Sequence, residues 1–441
     1  MKVMKWSVMA LAVAAGTTQL AMASAQSESN GFVEDSSLDI INRNYYFNHD
    51  GKNGGGDGRD WTHAMLVNYE SGFTQGTVGF GIDAFAVVGL TLDSRFGGAG
   101  NAPYDNNGEK KDDWQRAGGA VKFRVSDTTL KYGTFQPTAP VFAVGGSRIT
   151  PQMATGFGLV SEEIEDLMLE AGHFTSASGP RSVSNNESLT AAYAGIEANS
   201  ADFVGGTYGL GENLSLSLYG SEFEDVWRQY YGNVNYTLPI NDDQALAFDF
   251  NIYRTLDEGS ADAGSINTTI FSLATAYSIG AHTFTVAYQQ NSGDTPFDYV
   301  GVGNEGSTGD SIFLANSVHV SDFNGPKEKS AQVRYDIDMT TFGLPGVSFM
   351  ARYLTGWNAD YTRMSSSSAY FPGLDDDGNL TLGDNGKHQE FDFEARYVVQ
   401  NGPAKDLSFR LRQAFHNGND DYADTDTKQT RLMIEYPLSI L

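Results

Sequence analysis

Strict two-residue alternation, repeated over segments of about ten residues, constrains this 441-residue chain more than any other feature. Over 407–415, Leu407, Phe409 and Leu411 share one parity, and Ser408, Arg410 and Arg412 share the other. Phe391, Phe393, Ala395, Tyr397 and Val399 alternate with Asp392, Glu394 and Arg396. The same pattern sets Leu246, Phe248, Phe250 and Ile252 against Asp249 and Asn251, and Val333, Tyr335 and Ile337 against Arg334 and Asp336. Near the end, Leu432, Ile434, Tyr436 and Leu438 fall on one side. Successive strand residues point to opposite faces, so each segment has one apolar and one polar face.

A soluble sandwich alternates too, with its apolar face inward. The connections separate the two architectures. About eighteen segments are expected, beginning near Ser37, Trp61, Gly76, Trp114, Thr128, Glu165, Ser188, Ser200, Glu212, Trp227, Gln244, Asn267, His282, Glu328, Gly346, His388, Ala404 and Asp426. Long connections (48–60, 90–113, 136–164, 291–327, 356–387) mostly alternate with tight ones (126–127, 209–211, 239–243, 280–281, 401–403). The connection 176–187 breaks the pattern, being long where a short turn is due. Short turns on one side and long loops on the other are the mark of a transmembrane antiparallel β-barrel of the outer membrane. So many strands leave an aqueous interior, and the expected class is an all-β pore.

The N-terminus reads as a secretory signal, residues 1–25, followed by a barrel over 26–441. Lys2 and Lys5 supply the positive start, Val8 to Ala15 the short apolar run, and Ala23-Ser24-Ala25 the small-residue cleavage site. No later window has the apolar length of a membrane helix. Gly 50, Tyr 22 and Phe 27 are high, and a mean hydropathy of -0.33 suits strands that are half lumenal. With Cys 0 there is neither a disulfide framework nor a thiol site. The net charge of -27 argues against nucleic acid as a partner. Acidic loops such as Asp375-Asp376-Asp377 read as solvated loop charge, and no metal site or cofactor is expected.

The polar parity would face the pore, and it carries unexpected basic residues. Arg396, Arg410, Arg412 and Arg431 lie on the last three segments; Arg124, Arg334, Arg352, Lys122 and Lys131 have inward parity elsewhere. A row of guanidinium groups offers a carboxylate successive weak sites, which suits passage. Pairing with inward Asp392, Glu394 and Asp336, to stiffen the wall, is the other reading, and parity leaves both open. Pro137, Pro140 and Pro151 punctuate the long connection 136–164, around apolar Val141, Phe142, Ala143 and Val144. That run is expected to fold into the lumen or to cover the mouth, and the apolar stretch 310–315 is a second candidate.

Longer motifs carry a family resemblance: RNYYF at 43–47, GTVGFG at 76–81, PTAPVFAVGGSR at 137–148, LEAGHF at 169–174, RQYY at 228–231, DFNIYR at 249–254, DSIFLANS at 310–317 and the ending YPLSIL at 436–441. In these the chain resembles the OprD-type (Occ) substrate-specific porins of pseudomonads. The resemblance implies an eighteen-stranded barrel with an inward-folded third loop. It also implies passive uptake of small carboxylate-bearing nutrients: basic amino acids and peptides in one branch, aromatic acids in the other. It places Arg396, Arg410, Arg412 and Arg431 on a basic ladder, and Arg148, Tyr193, Tyr299, Asp310, Ser317 and Asp322 at the narrowest point. Val320 departs from the Tyr of basic-amino-acid channels. A serine-type hydrolytic role in the family would map onto His173, Asp225 and Ser311, and a less selective general porin is a second alternative. The expected partners are small solutes and outer-membrane lipid. A closed barrel has no strand edge to cap, so the expectation is a monomer or weak homo-oligomer.

Overall fold

The computed structural model describes residues 24–52, 55–104, 109–303, 309–423 and 426–441. The signal expected over 1–25 lies outside the described residues except for Ser24 and Ala25. One 18-stranded antiparallel sheet dominates. Its first six strands are β1 (Ser37–Gly51), β2 (Gly58–Glu70), β3 (Gly79–Arg95), β4 (Asp113–Val125), β5 (Thr128–Phe135) and β6 (Met153–Ile164). Next come β7 (Leu167–Ser178), β8 (Ala201–Leu210), β9 (Leu214–Phe223), β10 (Trp227–Asn241), β11 (Gln244–Asp257) and β12 (Asn267–Ile279). The last six are β13 (His282–Asn291), β14 (Lys329–Asp338), β15 (Val347–Ala359), β16 (Gly386–Val398), β17 (Ser408–Gly418) and β18 (Thr427–Ser439).

Each strand pairs with its neighbours in sequence, and β18 returns to β1 with Asp39 opposite Ser439 and Gly51 opposite Thr427. Closure removes every edge. Among the described residues, one rim carries short turns such as 126–127, 165–166, 242–243 and 280–281; the other carries 96–104, 109–112, 136–152, 179–200, 292–303, 309–328 and 360–385. Gly280 turns at φ 55, the left-handed geometry that a two-residue hairpin loop needs.

One expected strand was missed and one was misplaced. The segment 153–164, read as part of a long loop, is β6; the strand expected near Ser188 is a three-residue piece, Leu189–Ala191. That piece pairs with Glu197–Ala198 and Val300–Val302 in a small sheet among the loops. β6 escaped notice because Ala154, Gly156 and Gly158 supply no contrasting face and the prolines before it blur its start. With β6 in place the anomaly at 176–187 disappears: 165–166 is the short turn and 179–200 a long loop.

The parity assignment is borne out. Val121 and Phe123 on β4, Phe284 and Val286 on β13, and Phe409 and Leu411 on β17 are exposed, as a lipid-facing belt requires. The apolar core sits inside the ring. Ala139, Val141, Phe142 and Val144 of the third long loop pack with lumenal Phe174, Tyr231 and Tyr253 and with Phe297 and Tyr299. Phe142 meets Phe174 edge-on at 4.9 Å, and Tyr253 donates its hydroxyl to Pro140 O at 3.0 Å. Stretch 310–316 runs along the adjoining wall, β11 to β13: Phe313 N–H donates to Tyr253 Oη (3.0 Å), Ala315 N–H to Ser272 Oγ (3.0 Å) and Asn316 N–H to Gln289 Oε1 (3.0 Å). Both loops therefore narrow the lumen, satisfying their backbone groups on inward side chains.

Candidate functional site

Antiparallel register stacks the ladder arginines in two rows. Arg412 stands opposite Arg431, and Arg396 opposite Arg410. Two residues of strand separate the rows, about 7 Å along the wall. Glu394 accepts from Arg412 Nε at 2.6 Å and lies 3.2 Å from Arg410 Nε. Arg431 donates instead to neutral oxygens, His319 O (3.0 Å) and Gln429 Oε1 (2.6 Å).

Of the other inward basic residues, Arg124 donates to Gln26 Oε1 (3.1 Å) and the remaining four hold carboxylates. Arg352 bonds Asp392 (2.6 Å), Arg334 bonds Asp336 (2.7 Å), and Lys122 and Lys131 share Asp83 (2.6 and 2.5 Å). Those pairs realise the wall-stiffening reading. The ladder does not reduce to it, since one carboxylate, Glu394, is shared between two of four guanidinium groups.

Above the ladder, Arg148 and Arg431 stack on the ring of Phe47, with Cζ 4.9 and 4.5 Å from its centroid. Arg43 on β1 anchors this corner, donating from Nη1 to Gly146 O (3.0 Å) and Arg148 O (2.5 Å). The same cavity is also lined by an acidic, hydroxyl-rich group. Asp322 accepts the hydroxyls of Tyr193 (2.8 Å), Tyr299 (3.0 Å) and Ser317 (2.5 Å). Burial, reinforced by the neighbouring Asp322 charge, raises the Asp310 carboxyl above its usual range, and Arg148 partly offsets this. Asp298 lies behind the tyrosines and accepts the N–H groups of Tyr193, Ala194 and Tyr299 and the hydroxyl of Tyr370. Burial nevertheless pushes it up to about 6.

All six expected constriction residues, Arg148, Tyr193, Tyr299, Asp310, Ser317 and Asp322, line one cavity of about 320 Å³ together with Arg431 and Val320. Sequence reasoning missed Phe47 and His319. His319 lines the same cavity, its imidazole 3.3 Å from Asp392, and burial lowers it to about 4, which leaves the ring neutral at physiological pH.

The three residues of the hydrolytic reading are not brought together. His173 sits on the outward face, opposite exposed Phe157, and bonds Asp202 at 2.7 Å. Asp225 caps a turn by accepting Ser260 N–H (2.9 Å). Ser311 is fully buried and staples the two inward loops, donating to Ala143 O (3.0 Å) and accepting Ala143 N–H (2.7 Å). A nucleophilic triad needs its members within hydrogen-bond reach.

A closed barrel with an exposed apolar belt and a charge-lined cavity inside is the architecture of a pore of the bacterial outer membrane. The chain belongs to the OprD family of outer membrane porins, whose family model matches residues 30–440. It is 59% identical to Porin D of Pseudomonas aeruginosa, over 100% of both chains. The crystal structure of Pseudomonas aeruginosa OprD superimposes with a TM-score of 0.83 at 55% identity, covering 96% of this chain and 100% of that one. Pseudomonas aeruginosa OpdK, solved with vanillate, superimposes with a TM-score of 0.82 at 33% identity, covering 93% of this chain and 100% of that one. These relatives are porins, so the chain is a channel for small solutes rather than an enzyme.

Proposed function

We propose that this porin is a passive, substrate-selective channel for small solutes bearing a carboxylate, and that it favours those with a cationic group as well. The observation that carries this reading is opposite charge lining one cavity: Arg148 and Arg431 together with Asp310 and Asp322. A zwitterion or basic amino acid finds a partner for each of its charges there. Its carboxylate passes from Arg148 and Arg431 to Arg412, Arg410 and Arg396 in turn, each contact weak enough to leave. Short peptides share that chemistry, and aromatic acids use the arginine wall alone. Vanillate, bound to the OpdK relative, is such an acid. Val320 gives the constriction a smaller, less polar side than a tyrosine would.

In the same reading, residues 1–25 direct export, the exposed apolar belt meets lipid, and the closed barrel works as a monomer or weak homo-oligomer. Uptake into proteoliposomes of arginine, a lysine-containing dipeptide, benzoate and glucose tests the proposal. Saturable uptake with arginine or the dipeptide ahead of glucose supports it. Rates ranked by size alone would make this a general porin.

A further inference from the structure

Glu390 lies on the inward face of β16 and is fully buried, yet it makes no ion pair among the described residues. Its two oxygens grip consecutive backbone amides of the constriction loop: Oε1 accepts Val320 N–H at 2.9 Å and Oε2 accepts Ser321 N–H at 3.0 Å. Two residues along the same face, buried Asp392 holds Arg352 Nε (2.6 Å) and stands 3.3 Å from His319 Nδ1. From β18, Arg431 donates to His319 O. The tip 319–321 is thus held by hydrogen bonds to two groups of the barrel wall, Glu390 and Arg431, with Asp392 beside it.

Within the tip, Val318 N–H donates to Ser321 O (3.0 Å) and Ser317 Oγ to Asp322 Oδ1 (2.5 Å). The turn is closed on itself, so it moves as a unit. Asp322 belongs to the acidic wall of the cavity, and Arg431, which touches the same tip, belongs to the basic wall. A carboxylate clasp on successive N–H groups is strong and directional, and a loop has no sheet ladder of its own to fix it.

We propose that Glu390 is the positioning residue that sets the distance between the acidic and basic walls, and so sets which solutes the channel discriminates. The inference rests on reading the cavity as the selectivity constriction. Glu390 never meets the solute; it holds Val320 and Ser321, and through them Asp322. A carboxamide in its place keeps one acceptor but turns an NH2 toward a backbone donor, so one of the two amides loses its partner.

The test compares Glu390→Gln, Glu390→Ala and Asp322→Asn in full-length purified channel, by single-channel recording in planar bilayers with arginine and with glucose added. The expected result for both Glu390 variants is an intact barrel with flicker between substates and a half-saturation concentration for arginine raised by roughly tenfold, equivalent to about 1.4 kcal/mol. Maximal arginine flux should be unchanged or higher. Uniform conductance with native arginine saturation in the Glu390 variants, while Asp322→Asn loses selectivity, overturns the clasp and leaves the constriction reading intact. No effect from Asp322→Asn removes the constriction reading itself. Loss of the folded barrel in both Glu390 variants would make the residue an assembly determinant and overturn the proposal.

Discussion

Arg412 and Arg431 stand directly opposite each other on β17 and β18, yet only Arg412 bonds a carboxylate. Arg431 is 7% exposed, hydrogen-bonded to a backbone carbonyl and an amide oxygen, and stacked on Phe47. A guanidinium group kept charged on neutral acceptors retains its field for a passing anion, whereas Arg410 and Arg412 share theirs with Glu394.

Phe47 is the platform for both upper guanidinium groups, and each cation–π contact of this kind contributes about 0.5–2 kcal/mol. Phe47→Leu keeps an apolar side chain, somewhat smaller, and removes the ring. Half-saturation by benzoate, read from single-channel current, should rise severalfold in this variant while the barrel's thermal stability stays near native.

Tyr253 joins the two inward loops, donating to Pro140 O and accepting Phe313 N–H. Tyr253→Phe leaves both backbone groups short of a partner inside the barrel, at about 1–3 kcal/mol each where water does not reach. Greater open-channel noise and faster proteolysis of the 136–152 loop are expected, with the barrel itself still folded. Native noise and proteolysis would show that the apolar packing of Phe142 on Phe174 holds the loop unaided.

Acid should weaken the acidic wall. Asp298 is pushed up to about 6 and Asp310 is raised as well, both chiefly by burial. Their ionised forms are therefore disfavoured in the folded protein. The stability these groups lend through their neutral forms is present below the ordinary value of 3.8 and lost as pH rises through the raised values. As pH falls from 7 to 5, Asp298 takes a proton and one oxygen becomes a hydroxyl, weakening its hold on Tyr193 and Ala194. Asp310, raised as well, removes one negative charge from the cavity when it takes a proton. Reversal potentials in a potassium chloride gradient should shift toward anion preference over this range. Asp298→Asn should remove the component near pH 6, and Asp310→Asn the component due to its own charge.

Ser311→Ala separates the staple from any catalytic role. The loss of its bonds to Ala143 should raise gating noise. Hydrolysis of chromogenic esters or peptides by the purified native protein should stay at the level of buffer, leaving the variant nothing to lose.

Much of this was legible in the sequence because β periodicity is local. Parity alone put Arg396, Arg410, Arg412 and Arg431 on the inner wall, and register then paired them. β6 was not legible, because its glycines erase the contrast that alternation depends on. The constriction residues came from motif resemblance rather than from pattern, since residues as far apart as Arg148, Asp310 and Arg431 converge only when the loops fold inward. Phe47, His319 and Glu390 were invisible for the same reason. Their roles come from which loop rests on which strand, and no spacing in the chain encodes that.

The most direct measurement is single-channel recording of the purified protein in planar bilayers, native against an Arg410→Gln/Arg412→Gln variant. Glu394→Gln is added so that removing both guanidinium groups strands no buried carboxylate. The account predicts discrete conducting steps that saturate with arginine in the native channel, and a roughly tenfold weaker saturation, about 1.4 kcal/mol, in the variant. Absence of conducting steps, or identical saturation in the two proteins, would contradict it.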